Sequence, residues 1–173
     1  MDAHSRRNLE IDLRSDGATD HTLLSLMDTT VTAMGSRLLQ RWLHEPSRDL
    51  NTVQQRQQWV TQALSENAFL QVRETLQPIG DLQRILTRID LGSAQPRDLA
   101  RLRETLKQLP LVYAALLAVD HPTSHQLASQ LTNFKALAER LTNAVVDNPP
   151  VTLRDGGVIA VSYTHLTLPT RCR

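Results

Sequence analysis

The sequence predicts an all-α, multi-helix bundle with short β strands near both ends. Three observations predict it. Apolar residues recur at spacings of three and four through most of the chain. Aromatic residues are only 3% of the chain against 40% hydrophobic residues, so the core must be mainly Leu, Val, Ile and Ala. Asp and Thr stand before apolar runs, and Pro and Gly after them, where helices start and stop. At 173 residues the chain suits one domain, or one piece of a larger protein.

At the N-terminus, RNLEIDL alternates, with Leu9, Ile11 and Leu13 on one side and Asn8, Glu10 and Asp12 on the other. Period two predicts a short strand over residues 8–12, and RSDGATD reads as a turn. HTLLSLMD predicts a short helix over Leu23–Asp28, and Thr30 or Thr32 caps the next one. There Leu38, Leu39, Trp42 and Leu43 share one face, and Pro46 stops the helix. Asp49 caps a helix whose buried stripe holds Leu50, Val53, Val60 and Leu64, with Trp59 beside it. NAFLQVRETLQPIG continues as another helix and ends at Pro78-Ile79-Gly80.

Asp81 sits at the N-cap of LQRILTRIDLG, with Leu82, Ile85, Leu86 and Ile89 inward and Gly92 at C′. Leu99, Leu102, Leu106 and Leu109 carry the next helix. Pro110 should kink or interrupt it, because proline lacks the N–H and its ring collides with the preceding turn. DHPTSH reads as a connector, and Leu127, Leu131, Phe134, Ala138, Leu141 and Val145 mark one last helix, ended by DNPP. VTLRDGGVIA reads as strand, turn, strand. The strand-like pieces at 8–12 and 152–159 are expected to pair, since a lone strand leaves its backbone groups unsatisfied.

A net charge of +1 sets up no strong field toward nucleic acid or acidic membrane. The single cysteine, Cys172, excludes an internal disulfide and a cysteine metal cluster. No segment approaches the roughly 20 apolar residues of a membrane span. No signal-peptide run opens the chain. A soluble, cytoplasmic protein is expected.

Chemistry is sparse. The phosphate loop G-x-x-x-x-G-K-[ST] is absent, and Gly156-Gly157 reads as a tight turn. His121 and His125 have the spacing of two ligands on a helix face, but Pro122 and Thr123 intervene, in a loop or helix start, and no third ligand has a clear place. They read as solvated loop histidines. Asp28, Asp49, Asp81, Asp98 and Asp147 lie near helix ends and read as caps or solvated acids. Arg84, Arg88, Arg97, Arg101 and Arg103 concentrate positive charge, yet acids are interspersed and no aromatic residues interleave, so they read as a salt-bridged, solvated face. Trp42 and Trp59 read as core. No catalytic, cofactor, metal or nucleic-acid-binding residue is assigned.

The strings RRNLEI, TLLSLMDTTVTAMGSRLLQRWLHEPSRD, RQQWV, IGDLQRILTRIDLGSAQPRDLARLRETLKQLP and LRDGGVIA follow one another in that order. Together, from about Ala3 to Ala160, they resemble the core (lever) domain of the bacterial MutS DNA mismatch repair family. The resemblance implies a helical bundle between other modules, with lever helices leading out to a DNA clamp. It implies a parent protein that recognises mispaired double-stranded DNA, binds ATP with Mg, works as a homodimer and recruits MutL. The mismatch-reading Phe-x-Glu, the clamp and the ATPase phosphate loop are not in this chain, so no enzyme activity or bound cofactor is expected of it. What transfers is structural: the entry at Arg7-Asn8-Leu9-Glu10, the helix over Met34–Leu43, the Asp81-capped helix, and the Asp155-Gly156-Gly157 turn toward the lever.

The sequence departs from the family at Ala33, where proline is usual, and at Gln83, where an acid is common. A helix tolerates both. After Ala160 the departure is larger. VSYTHLTLPTRCR has no helical period and is similar to a translated sequencing-adapter read-through. The expected division is therefore a core-domain fragment over 1–160 and a non-native, disordered tail over 161–173, with Met1 an internal position of a longer chain. Two other readings stand beside this one. One is a self-standing helical adaptor that binds another protein through an exposed apolar face. The other is a small helical enzyme or metal protein built on His121 and His125.

Overall fold

A computed structural model of the chain describes residues 2–65, 67–131, 134–150 and 157–159. Among the described residues, the regular structure is helical apart from one isolated β-bridge. The helices are α1 (Ala3–Asn8), α2 (Leu23–Met27), α3 (Ala33–His44), α4 (Leu50–Ser65), α5 (Ala68–Leu76), α6 (Leu82–Asp90), α7 (Pro96–Leu117), α8 (Pro122–Gln130) and α9 (Lys135–Ala144). The all-α expectation is met.

Side chains supply several of the helix starts, because the first turn of a helix leaves N–H groups without partners. Thr22 and Ser25 form a reciprocal capping box at α2. Thr32 accepts from the Gly35 N–H at 3.1 Å, Asp49 from the Thr52 N–H at 3.0 Å, and Asp81 from the Arg84 N–H at 3.3 Å. α6 ends as its sequence requires. Gly92 takes φ +64, which lets the Gly92 N–H reach the Ile89 carbonyl at 3.0 Å and the Ser93 N–H reach that of Arg88 at 2.8 Å. Those two bonds are the Schellman pattern.

α7 is the spine of the bundle and packs against α5, α6, α8 and α9. Its first half joins one apolar cluster: Leu102 and Leu106 meet Ile85 of α6 and Ala138 of α9, with Leu82, Leu109 and Leu141 packed around them. Ala115, in its second half, joins another with Val119, Ala63 of α4 and Val72 of α5, against Trp59, Ala68, Phe69 and Leu76. No residue of α1, α2 or α3 is buried.

Several expectations are corrected. Residues 8–12 are not a strand. Asp2 caps a helix that includes Asn8, and the Leu9, Glu10 and Ile11 N–H groups bond back to Ser5, Arg7 and Arg6 carbonyls. Local turns thus satisfy the backbone that a strand would have left open. Ile11 is buried while Leu9 and Leu13 are exposed, so the alternation marks no common face. The Ile11 carbonyl accepts from the Leu24 N–H, and Ile159 bridges Val145 instead, antiparallel. No strand forms among the described residues; 151–156 and 160–173, with part of the expected C-terminal hairpin and all of the tail, lie outside them.

On α4, Leu50, Val60 and Leu64 face outward, and Trp59 and Ala63, one turn apart, face the core instead. The indole has more apolar surface to bury than any aliphatic side chain, which sets the rotation of the helix. On α6, Ile85 is buried and Leu82 packs on the cluster, but Leu86 and Ile89 are exposed. α7 runs through Pro110 without interruption. Buried residues on both flanks, Leu106 and Val112, hold the helix across the missing hydrogen bond. The expected last helix is two. His121 caps α8 and Pro122 takes its first position, so the supposed connector is a helix start.

Candidate functional site

Arg103 lies on α7 among buried neighbours, and its side chain is 3% exposed. A guanidinium in that position requires partners for its donors. Its Nη1 donates to the Val145 carbonyl at 2.9 Å, its Nε lies 2.7 Å from Glu104 Oε1, and its Nη2 lies 3.2 Å from Asp147 Oδ1. Arg103, and then Lys107, hold the Glu104 carboxyl below its ordinary value by hydrogen bonding. Val145 follows the end of α9 and pairs with Ile159, while the Val146 N–H donates to the Val158 carbonyl at 3.1 Å. Arg103 thus ties α7 to the stretch after α9 that pairs with Val158 and Ile159. Placing Arg103 on a solvated face was wrong. An arginine one position after Leu102 carries no sequence signal of burial; the signal is the buried carbonyl of Val145, which only the fold brings near.

A second charged contact ties α3 to α6. Arg37 makes a bidentate pair with Asp81 at 2.7 Å for both bonds and donates to Gln83 Oε1 at 2.7 Å. The Arg37 bond is the main cause that holds the Asp81 carboxyl below its ordinary value. Asp81 therefore caps α6 and anchors α3 together. Gln83, where the resemblance leads one to expect an acid, keeps an acceptor for the same arginine.

Other ties are polar too. His44 Nε2 lies 2.9 Å from Asp12 Oδ2, and Arg73 donates to the Thr29 carbonyl at 2.5 Å. A cleft of about 590 Å³ between α7 and α9 is lined by Leu106, Leu109, Pro110, Tyr113, Leu131 and Phe134, with Lys107, Lys135 and Glu139 at its rim. Its size suits an apolar ligand or side chains. Sequence reasoning did not find it, since its walls come from two separate apolar stripes.

The residues singled out earlier are scattered. His121 caps α8 by accepting from the Thr123 N–H at 3.1 Å, whereas His125 sits 3.6 Å from Asp120. Among the described residues, no group of three or more His, Cys, Asp or Glu is placed to hold a metal ion. Asp49 and Asp81 are helix caps, and Asp98 reaches back to the Gln95 N–H and pairs with Arg88 at 2.6 Å. Asp28 is the C-terminal cap residue of α2, its N–H bonding back to the Leu24 carbonyl, and its side chain accepts from Ser36 and Thr30, which hold its carboxyl low. Asp147 pairs with Arg103. Trp59 packs on the core and donates to Ser124 Oγ at 2.6 Å. Trp42 is not core: it is 41% exposed, with the Arg56 guanidinium 3.8 Å from its ring centroid. Gly157 adopts φ +65 as a turn residue would, and Gly156 lies outside the described residues.

Among the described residues, no helix is long and apolar enough to cross a membrane. The family model of MutS domain III matches residues 4–165. That match spans nearly the whole chain, includes every helix described above but for the first residue of α1, and agrees with the helical architecture: the chain belongs to the MutS domain III family.

Proposed function

We propose that this chain is the core (lever) part of a MutS-type DNA mismatch repair protein and acts as a mechanical relay within it. The observation that carries this reading is the domain III match over residues 4–165. In the parent protein, neighbouring parts recognise mispaired double-stranded DNA, bind ATP with Mg, form the homodimer and recruit MutL in the cytoplasm. This chain contributes no catalytic residue of its own. The packing supports such a role: one helix, α7, reaches both apolar clusters, so displacement at one end is felt at the other.

A chimera tests it. Residues 4–160 replace domain III of a MutS-family protein in cells lacking their own copy, and spontaneous mutation frequency is measured. The expected result is a frequency close to that of repair-proficient cells. A soluble chimera that still hydrolyses ATP but leaves the frequency at the deficient level would sink the proposal.

The adaptor reading draws on one observation, the many exposed large apolar residues, Leu26, Leu50 and Leu91 most of all. A longer reading frame that continues DGGVIA into a lever helix and a phosphate loop would decide against it.

A further inference from the structure

Among the described residues, Val145–Val146 and Val158–Ile159 pair through one bridge and one hydrogen bond of 3.1 Å. Even a full two-stranded hairpin is marginal in water. Ile159 is 54% exposed, so apolar burial does little to hold the outer member. The inner member is held. Val145 is buried, and its carbonyl takes the Nη1 of Arg103. Arg103 in turn is 3% exposed, on the stretch of α7 that also buries Leu102, Thr105 and Leu106.

We propose that Arg103 is a latch that joins the outgoing segment to the α7 spine. The connection runs from Val158 through the Val146 amide to the Val145 carbonyl, and from there through the guanidinium into α7. A planar guanidinium suits the task, because its donors point in fixed directions and hold three acceptors at once. Two of those acceptors, Glu104 and Asp147, are carboxylates on either side of the junction, 50% and 89% exposed. The buried charge is therefore neutralised from the solvent side, while the buried carbonyl gives the contact its direction. Motion of whatever follows Ile159 then pulls on α7 at Arg103, next to the α6–α9 cluster. This deepens the relay reading and rests on it, in that the outgoing segment is taken to lead to the lever.

Amide hydrogen exchange on the full 173-residue chain tests the latch. In Arg103→Met, the Val146 amide is expected to exchange about tenfold faster or more, the loss of one charge-assisted hydrogen bond. Amides of α4, α5 and the second half of α7 should keep their protection. Arg103→Lys, a single point donor, should fall between. Unchanged Val146 protection in a folded Arg103→Met chain overturns the proposal. If that variant unfolds altogether, Arg103→Lys decides, since it keeps the buried charge and replaces the planar fork by a single point donor. It should speed Val146 exchange severalfold with α7 intact, and no change there overturns the latch equally. The readout needs neither DNA nor ATP. A failed latch leaves the family role standing, and a failed chimera with Val146 protected counts against the role alone.

Discussion

Replacing Arg37 by Ala and Asp81 by Asn, singly and together, measures the tie between α3 and α6. Asn keeps a side-chain oxygen for the α6 cap, so the exchange removes the ion pair and spares the helix start. The pair is bidentate, both bonds are 2.7 Å, and the side chains are 33% and 20% exposed. Exposed pairs contribute about 0.2–1 kcal/mol, and losing one partner of a buried pair costs about 3–5 kcal/mol. A half-buried, two-bond pair falls between, at about 1–2 kcal/mol of coupling in a double-mutant cycle. The assay is urea unfolding followed by helical circular dichroism.

The pH dependence has a defined sign. The folded Asp81 carboxyl lies below the unfolded value of 3.8, so its contribution is complete above 3.8 and disappears as pH falls through the folded value. Arg37 stays charged throughout. The coupling should be the same at neutral pH and at about pH 5, and vanish under strong acid. Coupling below about 0.3 kcal/mol at neutral pH, or coupling that survives strong acid, refutes the assignment.

Three further outcomes are expected from denaturant unfolding. Gly80→Ala should destabilise by about 1–3 kcal/mol, since a Cβ there would lie 2.7 Å from Arg101 Cγ and 3.1 Å from Thr105 Oγ1, the hydroxyl that accepts from the Gly80 N–H. A neutral Gly80→Ala would mean that α7 yields at this contact. Pro110→Ala should stabilise by about 1–3 kcal/mol by restoring an N–H for the Leu106 carbonyl in a helix that is already continuous. A loss of stability would show that the proline ring's packing in the cleft outweighs that bond. Trp59→Phe should cost about 1–2 kcal/mol by leaving the fully buried Ser124 hydroxyl without its indole donor, and adding Ser124→Ala should recover part of it. Failure of the second change to help would place the cost in packing alone.

Helix starts and stops were legible wherever a residue acts on its own neighbours. Thr32, Asp49, Asp81 and Gly92 do in the fold what their positions in the sequence imply, because a cap closes over three or four residues. His121-Pro122 carried the same kind of signal, a cap followed by proline at the first helical position, and of the two possibilities for this stretch, loop or helix start, the fold takes the helix start. The apolar stripe of α7 also read correctly, since Leu102 and Leu106 are buried. The stripe of α4 did not. Periodicity says that a helix has an apolar side; it does not say which of two adjacent apolar rows meets a neighbour.

By itself, then, the sequence determined the helical class, most helix boundaries and, through its ordered motifs, the family. These depend on contacts within a few residues of chain, or on long matching strings. Only the tertiary structure decided the fate of Arg103, Arg37, Trp42 and residues 8–12. Arg103 and Val145 are 42 residues apart, and Arg37 and Asp81 are 44 apart. A charge reads as solvated until the fold presents a buried acceptor to it. An alternating segment reads as a strand until the fold offers it no partner, and its backbone then closes its hydrogen bonds locally.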